Sequence, residues 1–421
     1  MHICQRGRAL VLGALLIVPW TASAAETTTP NAVSADPALI HFVQSVVDAN
    51  PRVQAARSAL EASGAYRDAA SRPLYNPELS FEAENAADRT RALGISQTFD
   101  WGGKREARTD VAESDRLVVE AEYLAVRWAV TVELLDGLAQ HQTDQERTEL
   151  ARSREALMDR FVDLAQRRYD AGDLAQVEFD LARLTATDAR IQSATAAAEL
   201  AEARQVVRNL TPRSSASDQW PTLPGALPSL PESAANPETL VLELPEVQTA
   251  RRRVESAAAL AELRRREQRP DPTLSVAGGD EDGETLIGLN LSIPLYIRNN
   301  FSNEVSAALS QRNQAEQMAD DVMRRAYARL TSAAERYELS QGAWEAWQET
   351  GKASLARQTE QLQRLWEAGE LSTTDYLVQL TATLNVQEHA LDLRETLWRA
   401  WFEWLRASGQ VDAWLGRGFE Q

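Results

Sequence analysis

Residues 76–106 read NPELSFEAENAADRTRALGISQTFDWGGKRE. Leu79, Phe81 and Ala83 alternate there with Ser80, Glu82 and Glu84, and further on Leu93, Ile95 and Phe99 alternate with Ala92, Gly94, Ser96 and Thr98. A period of two marks β-strands, and Pro, Gly and aromatic residues bracket the pair. The rest of the chain is written almost entirely in helical periodicity. The question is why a helical chain interrupts itself with one hairpin.

A second break answers it. DPTLSVAGG from Asp271 and LIGLNLSIP from Leu286 repeat the pattern, with Ile287, Leu289, Leu291 and Ile293 alternating with Gly288, Asn290 and Ser292. Four landmarks recur in the same order: Pro51 and Pro245, Asn76 and Asp271, Phe99 and Leu295, Tyr169 and Trp366, at separations of 194, 195, 196 and 197. The chain is therefore a duplication. It divides into residues 25–210, a linker at 211–237 that holds six prolines, residues 238–411, and a tail at 412–421. Each half is expected to run as a helix of roughly thirty residues, a hairpin (about 77–100 and 273–294), a very long helix, a tight turn near 172 or 369, and a returning helix.

Along the first long helix Leu117, Leu124, Trp128, Leu135 and Leu138 describe the narrow seam of a coiled coil. Its counterpart is expected from about Ser302 to Trp366. Helices of that length, at about 1.5 Å per residue, reach on the order of 100 Å. Strands of about ten residues with one apolar and one polar face fit a membrane-spanning barrel, and Tyr75, Phe99, Trp101, Tyr296 and Phe301 suit an interfacial girdle. Four strands cannot close a barrel in lipid. Three copies would supply twelve.

Composition narrows the classes. The chain has 421 residues with a net charge of −18, which disfavours nucleic acid as a partner. Residues 1–24 read as a cleaved signal peptide, with Arg6 and Arg8, an apolar run and an Ala22-Ser23-Ala24 site. Its removal takes away Cys4, the only cysteine, which precedes the apolar run and so does not fit a lipid anchor. His41, His141 and His389 are scattered, and no phosphate loop, nucleophile elbow or HExxH is present, so neither an enzyme nor a cofactor or metal site is expected. The runs Arg251–Arg253 and Arg264–Arg266 read as solvated helix faces.

With these features in place, NPELSFEAEN, QTFDWGGKREAR (97–108) and IPLYIRNN (293–300) give the chain a resemblance to the TolC family of outer-membrane channel proteins, most of all to its heavy-metal cation efflux branch, the CzcC-like proteins. The resemblance covers nearly all of the mature chain. It implies a mainly α fold with a small β part: a homotrimer with a long α-helical periplasmic tunnel and a twelve-stranded barrel in outer-membrane lipid, four strands from each chain. It also implies a periplasmic adaptor, an inner-membrane RND pump and a passive duct for metal cations. In YDAGDLAQVEF and WEAGELSTTDY, the glycines can end one helix and turn into the next. The family places adaptor-docking grooves there, which makes Tyr169, Gly172, Leu174, Trp366, Gly369 and Leu371 the docking candidates. Asp375 matches one aspartate of the family's cation-sensitive constriction and is the candidate gate; Val378 stands where a second aspartate occurs in double-ring members. A duct for drugs or secreted polypeptides, and a soluble periplasmic coiled-coil scaffold, are the alternative readings.

Overall fold

The computed structural model describes residues 35–85, 89–212, 219–230, 236–281 and 283–416. The signal-peptide reading at 1–24, parts of the linker and the last residues of the tail lie outside them. In the first half, α1 (Pro37–Ala49) and α2 (Pro51–Ala70) lead to β1 (Glu78–Asn85) and β2 (Arg89–Thr98), then α3 (Lys104–Asp170) and α4 (Gln176–Leu210). The second half repeats this with α5 (Pro237–Glu243), α6 (Pro245–Glu267), β3 (Thr273–Glu281) and β4 (Glu284–Ser292). It continues with α7 (Ser302–Ala346), a π-helical turn (Trp347–Gly351), α8 (Lys352–Glu367), α9 (Thr373–Ser408) and the short α10 (Val411–Trp414).

Three details differ from the sequence expectation. The entry helix of each half is two helices, because Pro51 and Pro245 force the residue before them out of the helical region: Asn50 has ψ 129° and Leu244 ψ 134°. Asn50 then caps α2 by accepting from the Arg52 amide at 2.9 Å. The second long helix is interrupted at Trp347–Gly351, where the Lys352 N–H reaches back to the Trp347 carbonyl. A Cβ at Gly351 would overlap the Trp347 indole, so the ring packs directly on glycine backbone. The tail, finally, does not begin at 412. Val411, Trp414 and Leu415 are buried, and Asp412 accepts from the Trp128 indole N–H at 2.8 Å.

The strands form one antiparallel sheet in the order β1-β2-β3-β4, so the two hairpins join across the duplication. Leu79 faces Ile95, Ile95 faces Val276 and Val276 faces Leu289, which places the large apolar side chains on one surface. Their exposure runs from 37% at Leu274 to 81% at Ile287, a band that a soluble protein would cover. Ser80, Gly94, Ser96, Ser275, Ala277, Gly288 and Asn290 line the opposite surface. At Gly279 a Cβ would collide with the Arg91 carbonyl, so that position must be glycine for β2 and β3 to pair. The outer edges of β1 and β4 have no strand partner among the described residues.

Below the sheet, one core gathers Val43, Val47, Val130, Leu134, Leu135, Leu138, Tyr337, Trp401, Phe402, Trp404 and Trp414, together with linker residues Leu223, Leu227 and Leu230. The linker thus crosses between halves while packing on both; Tyr337 donates to the Pro228 carbonyl and the Leu223 amide to Gln142 at 3.0 Å. Of the expected coiled-coil seam, Leu135 and Leu138 are buried, whereas Leu124 is exposed, because that part of α3 packs on α2 and α6 through other faces. The arginine runs are not simply solvated: Arg253 bridges to Glu122 and Arg266 to Glu106, both at 2.6 Å, tying α6 to α3. No described helix is long and apolar enough to cross a membrane, which leaves the sheet unaffected as a candidate.

Candidate functional site: the helical tip

Both turns are built the same way. Gly172 (φ 82°) and Gly369 (φ 74°) occupy the left-handed region that favours glycine. Asp173 N–H donates to the Arg168 carbonyl at 2.8 Å and Gly172 N–H to Tyr169 at 2.9 Å; Glu370 N–H donates to Leu365 at 2.9 Å and Gly369 N–H to Trp366 at 3.0 Å. These are Schellman closures, which satisfy the carbonyls that a helix end leaves open. Nothing lies within 4 Å of a Cβ placed at either glycine, so the requirement is backbone conformation and not space.

One core joins the two turns. Tyr169 stacks on Phe179 (5.2 Å between centroids, 13°), and in the repeat Trp366 stacks on Tyr376 (4.9 Å, 18°), with Phe161 4.8 Å from Trp366. The Arg168 guanidinium lies over the Trp366 ring at 4.9 Å. Of the docking candidates, Leu174 and Trp366 are buried in this core, while Tyr169 and Leu371 are half-buried against it. The exposed surface of the tip includes Gly172 and Gly369 with their acidic neighbours Asp170, Asp173 and Glu370, beside Arg167, Ala171, Ala175, Ala368 and Ser372. The structure therefore brings all six candidates together and separates them into a supporting core and an outer surface.

Asp375 is exposed at the start of α9. Ser372 Oγ accepts from the Asp375 amide at 3.1 Å and donates to the Asp375 carboxylate at 2.7 Å, a reciprocal cap that holds the carboxylate at the helix N-terminus. In the first half Ala175 offers no side-chain acceptor; only the Glu178 carboxylate participates, accepting from the Ala175 amide at 3.3 Å. Val378 is 63% exposed one turn beyond Asp375. No group of three or more potential metal ligands occurs among the described residues.

Two charged sites escaped sequence reasoning. Where sheet meets helices, Lys104 Nζ bonds the buried Asp271 carboxylate at 2.9 Å and the Tyr75 hydroxyl donates to the same oxygen at 2.7 Å, an interaction that pushes the tyrosine up to about 12. Midway down, Arg147 bridges α3, α4 and α9 by pairing with the buried Asp144, with Asp392 at 2.6 Å and, more distantly, with Glu395 and Glu199. Burial pushes Asp144, and Asp136 two turns away, up to about 6. The repeat itself held a clue to the first: Asp271 stands where the other half has Asn76, which marks a position with a partner of its own.

A helical shaft of about 100 Å that ends in a sheet with an apolar outer surface is the architecture of an outer-membrane channel protein. The chain belongs to the outer membrane efflux protein family, whose pattern it matches over residues 42–212 and 237–410. It is 30% identical over 256 residues to the cobalt-zinc-cadmium resistance protein CzcC of Cupriavidus metallidurans, a match covering 58% of this chain and 60% of that protein, less than two thirds of its length. To the nickel-cobalt-cadmium resistance protein NccC of Alcaligenes xylosoxydans xylosoxydans it is 25% identical over 320 residues, 73% of this chain and 71% of that one. The solved outer-membrane channel OprN shares the fold, with a TM-score of 0.77 at 17% identity over 89% of this chain and 90% of OprN. The expected mainly α, TolC-like fold with its small β part is the fold observed.

Proposed function

We propose that the protein is the outer-membrane component of a tripartite efflux system, a passive exit duct for heavy-metal cations from periplasm to exterior. The observation that carries this reading is the four-stranded sheet: its outer surface is apolar, both edges are open, and it sits at one end of the shaft. In hydrocarbon such edges must be paired, so three chains would close twelve strands, with export through the signal-like residues 1–24 and the α3 to α9 shafts extending the wall through the periplasm. Val177, Leu184 and Ile191, seven residues apart and exposed along α4, fit coverage by a neighbouring copy.

Cation cargo follows from kinship with CzcC and NccC, both named for metal resistance, and agrees with the acidic chain. In the proposed cycle an adaptor linked to an RND pump binds the exposed Gly172 and Gly369 surface. By favouring the open tip over the closed one it shifts the population toward conduction, and the energy comes from the pump. Three copies of Asp375 around the axis would form an acidic ring that disfavours anions.

The test has two parts. The protein purified from outer membranes is expected to have trimer mass and to give small cation-preferring conductance in a planar bilayer; a water-soluble monomer that never inserts refutes the duct. Deleting the gene is expected to sensitise cells to divalent metals and not to drugs; drug sensitivity alone would shift the cargo to organic compounds.

A further inference from the structure

Four connections join the helices to the sheet: α2 to β1, β2 to α3, α6 to β3 and β4 to α7. Each of them, taken with the adjoining helical turn, carries one exposed arginine that pairs with no acid among the described residues: Arg72, Arg105, Arg269 and Arg298. The arginines beside them are paired, Arg67 with Asp68, Arg264 with Glu267, Arg265 with Glu262 and Arg266 with Glu106. The acids of the same segments are already engaged. Asp100 accepts from the Lys104 and Arg105 amides at 2.8 and 2.7 Å, and Asp271 pairs with Lys104. The exception is Glu304, in the first turn of α7, where the helix N-terminus offsets a carboxylate. Glu78 opens β1 on the polar surface, opposite Ser96.

The four connections are tied into one collar. Gln97 Nε2 donates to the Tyr75 carbonyl at 3.4 Å, the Tyr75 hydroxyl to Asp271, and Gln268 Nε2 to the Asn300 carbonyl at 3.1 Å; the Arg269 side chain lies beside Gly102. Large apolar side chains stand in the same collar. Trp101 is 73% exposed and Ile297 84%, and with Phe99 and Leu295 they continue the alternation of Leu93 and Ile95 and of Leu291 and Ile293. Between the end of α2 and the start of α3 runs a groove of about 690 Å³, walled by Leu74, Tyr75, Phe99 and Arg105 together with the engaged Asp100 and Glu106. The far end of the sheet has the opposite character: Glu82, Glu84, Asp280, Glu281 and Glu284 outnumber Arg89 and Arg91.

We propose that this collar binds anionic phospholipid in the leaflet next to the helices, with Arg72, Arg105, Arg269 and Arg298 taking the headgroup phosphates and Trp101, Leu295 and Ile297 lying against the acyl chains. An indole belongs at the edge of the hydrocarbon, and a guanidinium just outside it meets phosphate through two parallel hydrogen bonds. The proposal rests on the duct reading and adds to it the chemistry of the surrounding lipid. Continuity of the collar's apolar residues with the band on the sheet selects lipid over an acidic protein as the occupant.

Trp101 is a built-in reporter. The full-length protein is reconstituted into phosphatidylcholine vesicles containing either brominated phosphatidylglycerol or brominated phosphatidylcholine, and the quenching that W101F removes is recorded. Each arginine near an anionic surface favours it by about fivefold. A several-fold preference for phosphatidylglycerol is expected, reduced by 1 M salt, falling two- to fivefold in R72Q, R105Q, R269Q or R298Q alone and to parity in the quadruple variant. The quadruple arginine-to-lysine variant should keep most of it, and R91Q at the far end all of it. Equal quenching by both lipids in the wild type overturns the proposal while leaving the duct standing, as does a preference that survives all four glutamines. Metal sensitivity in the quadruple glutamine variant with its lipid preference intact would assign the arginines to an acidic protein instead. A protein that no brominated lipid quenches is not in the bilayer, which overturns the duct reading as well.

Discussion

The two long helices come from one duplicated plan, yet they are not equally held. α3 runs without interruption for 67 residues and buries side chains along most of its length, from Lys104 and Ala107 through Leu134 and Leu138 to Phe161 and Ala165. Its counterpart is split by the Trp347–Gly351 turn; α7 buries only Ala308, Ala326, Leu330, Ala333 and Tyr337 and leaves Met318, Met323, Tyr327 and Leu339 open. The cause is position in the chain. α3 is flanked by α2 and α4 of its own half and by α6 and α9 of the other, whereas α7 and α8 have α5, α6 and α9, and the place that α2 and α4 would fill is empty in a single chain. The same sequence plan yields one finished and one unfinished wall.

The sharpest test of that difference is the ionic contact beside α3. Asp271→Ala strands Lys104 in a buried site and is expected to destabilise the protein by about 3–5 kcal/mol. Asn76→Ala at the neutral counterpart should lose less than about 1 kcal/mol. Denaturant melts of the detergent-solubilised protein measure both; equal losses would mean that the buried ion pair contributes no more than its neutral counterpart.

A second contrast is acidic. α3 buries Asp136 and Asp144 against α9, with both carboxyls pushed up to about 6, mainly by desolvation. A raised carboxyl pKa means that the folded state holds its proton more tightly than the unfolded one. This contribution therefore favours folding most below about pH 4 and is lost as pH rises through about 6. Asp136→Asn should remove the penalty, on the order of 1–3 kcal/mol at pH 8, and flatten the fall in melting temperature between pH 4 and 8. A parallel downward shift at every pH would show instead that the carboxylate supports the interface.

The π turn provides the third test. If Trp347 packed on Gly351 is what inserts the extra residue, Gly351→Ala must displace the indole and should destabilise by about 1–2 kcal/mol, although alanine is the better helix former. Removing the ring as well, with W347A and G351A together, should recover part of that loss and slow amide exchange across 347–351. No recovery would place the cause of the interruption elsewhere.

What could be read from sequence divides along physical lines. The strands, their faces and the two turns depend on local period and on glycine, so Leu79 to Phe81, Ile287 to Leu291, Gly172 and Gly369 could be placed directly. The breaks at Pro51 and Pro245 were equally local and simply outweighed by helical periodicity. Lys104 with Asp271 and the Arg147 hub join residues far apart in sequence, which no period reports. At the tip, residue type identified the right neighbourhood but not the facing: Leu174 and Trp366 look like surface anchors in one dimension and prove to be core, because four helices converge on them.

The smallest difference between the halves is also the easiest to alter without disturbing packing. Ser372 caps α9 by accepting from the Asp375 amide, whereas Ala175 offers no side-chain acceptor to the equivalent Glu178 amide of α4, and the only side-chain contact there is the Glu178 carboxylate accepting from the Ala175 amide. Ser372→Ala should destabilise by about 1 kcal/mol and free the Asp375 carboxylate from its hydroxyl donor. Ala175→Ser should stabilise by about 0.5–1 kcal/mol, since the backbone there is already extended at ψ 149° and suited to a cap. Amide exchange in the first turn of each helix is the appropriate readout, because both changes act locally. If the caps prove interchangeable but only Ser372→Ala changes cation preference in the bilayer, the added serine–aspartate contact serves conduction; if both variants leave selectivity untouched, Asp375 is a helix cap and the acidic ring is discarded.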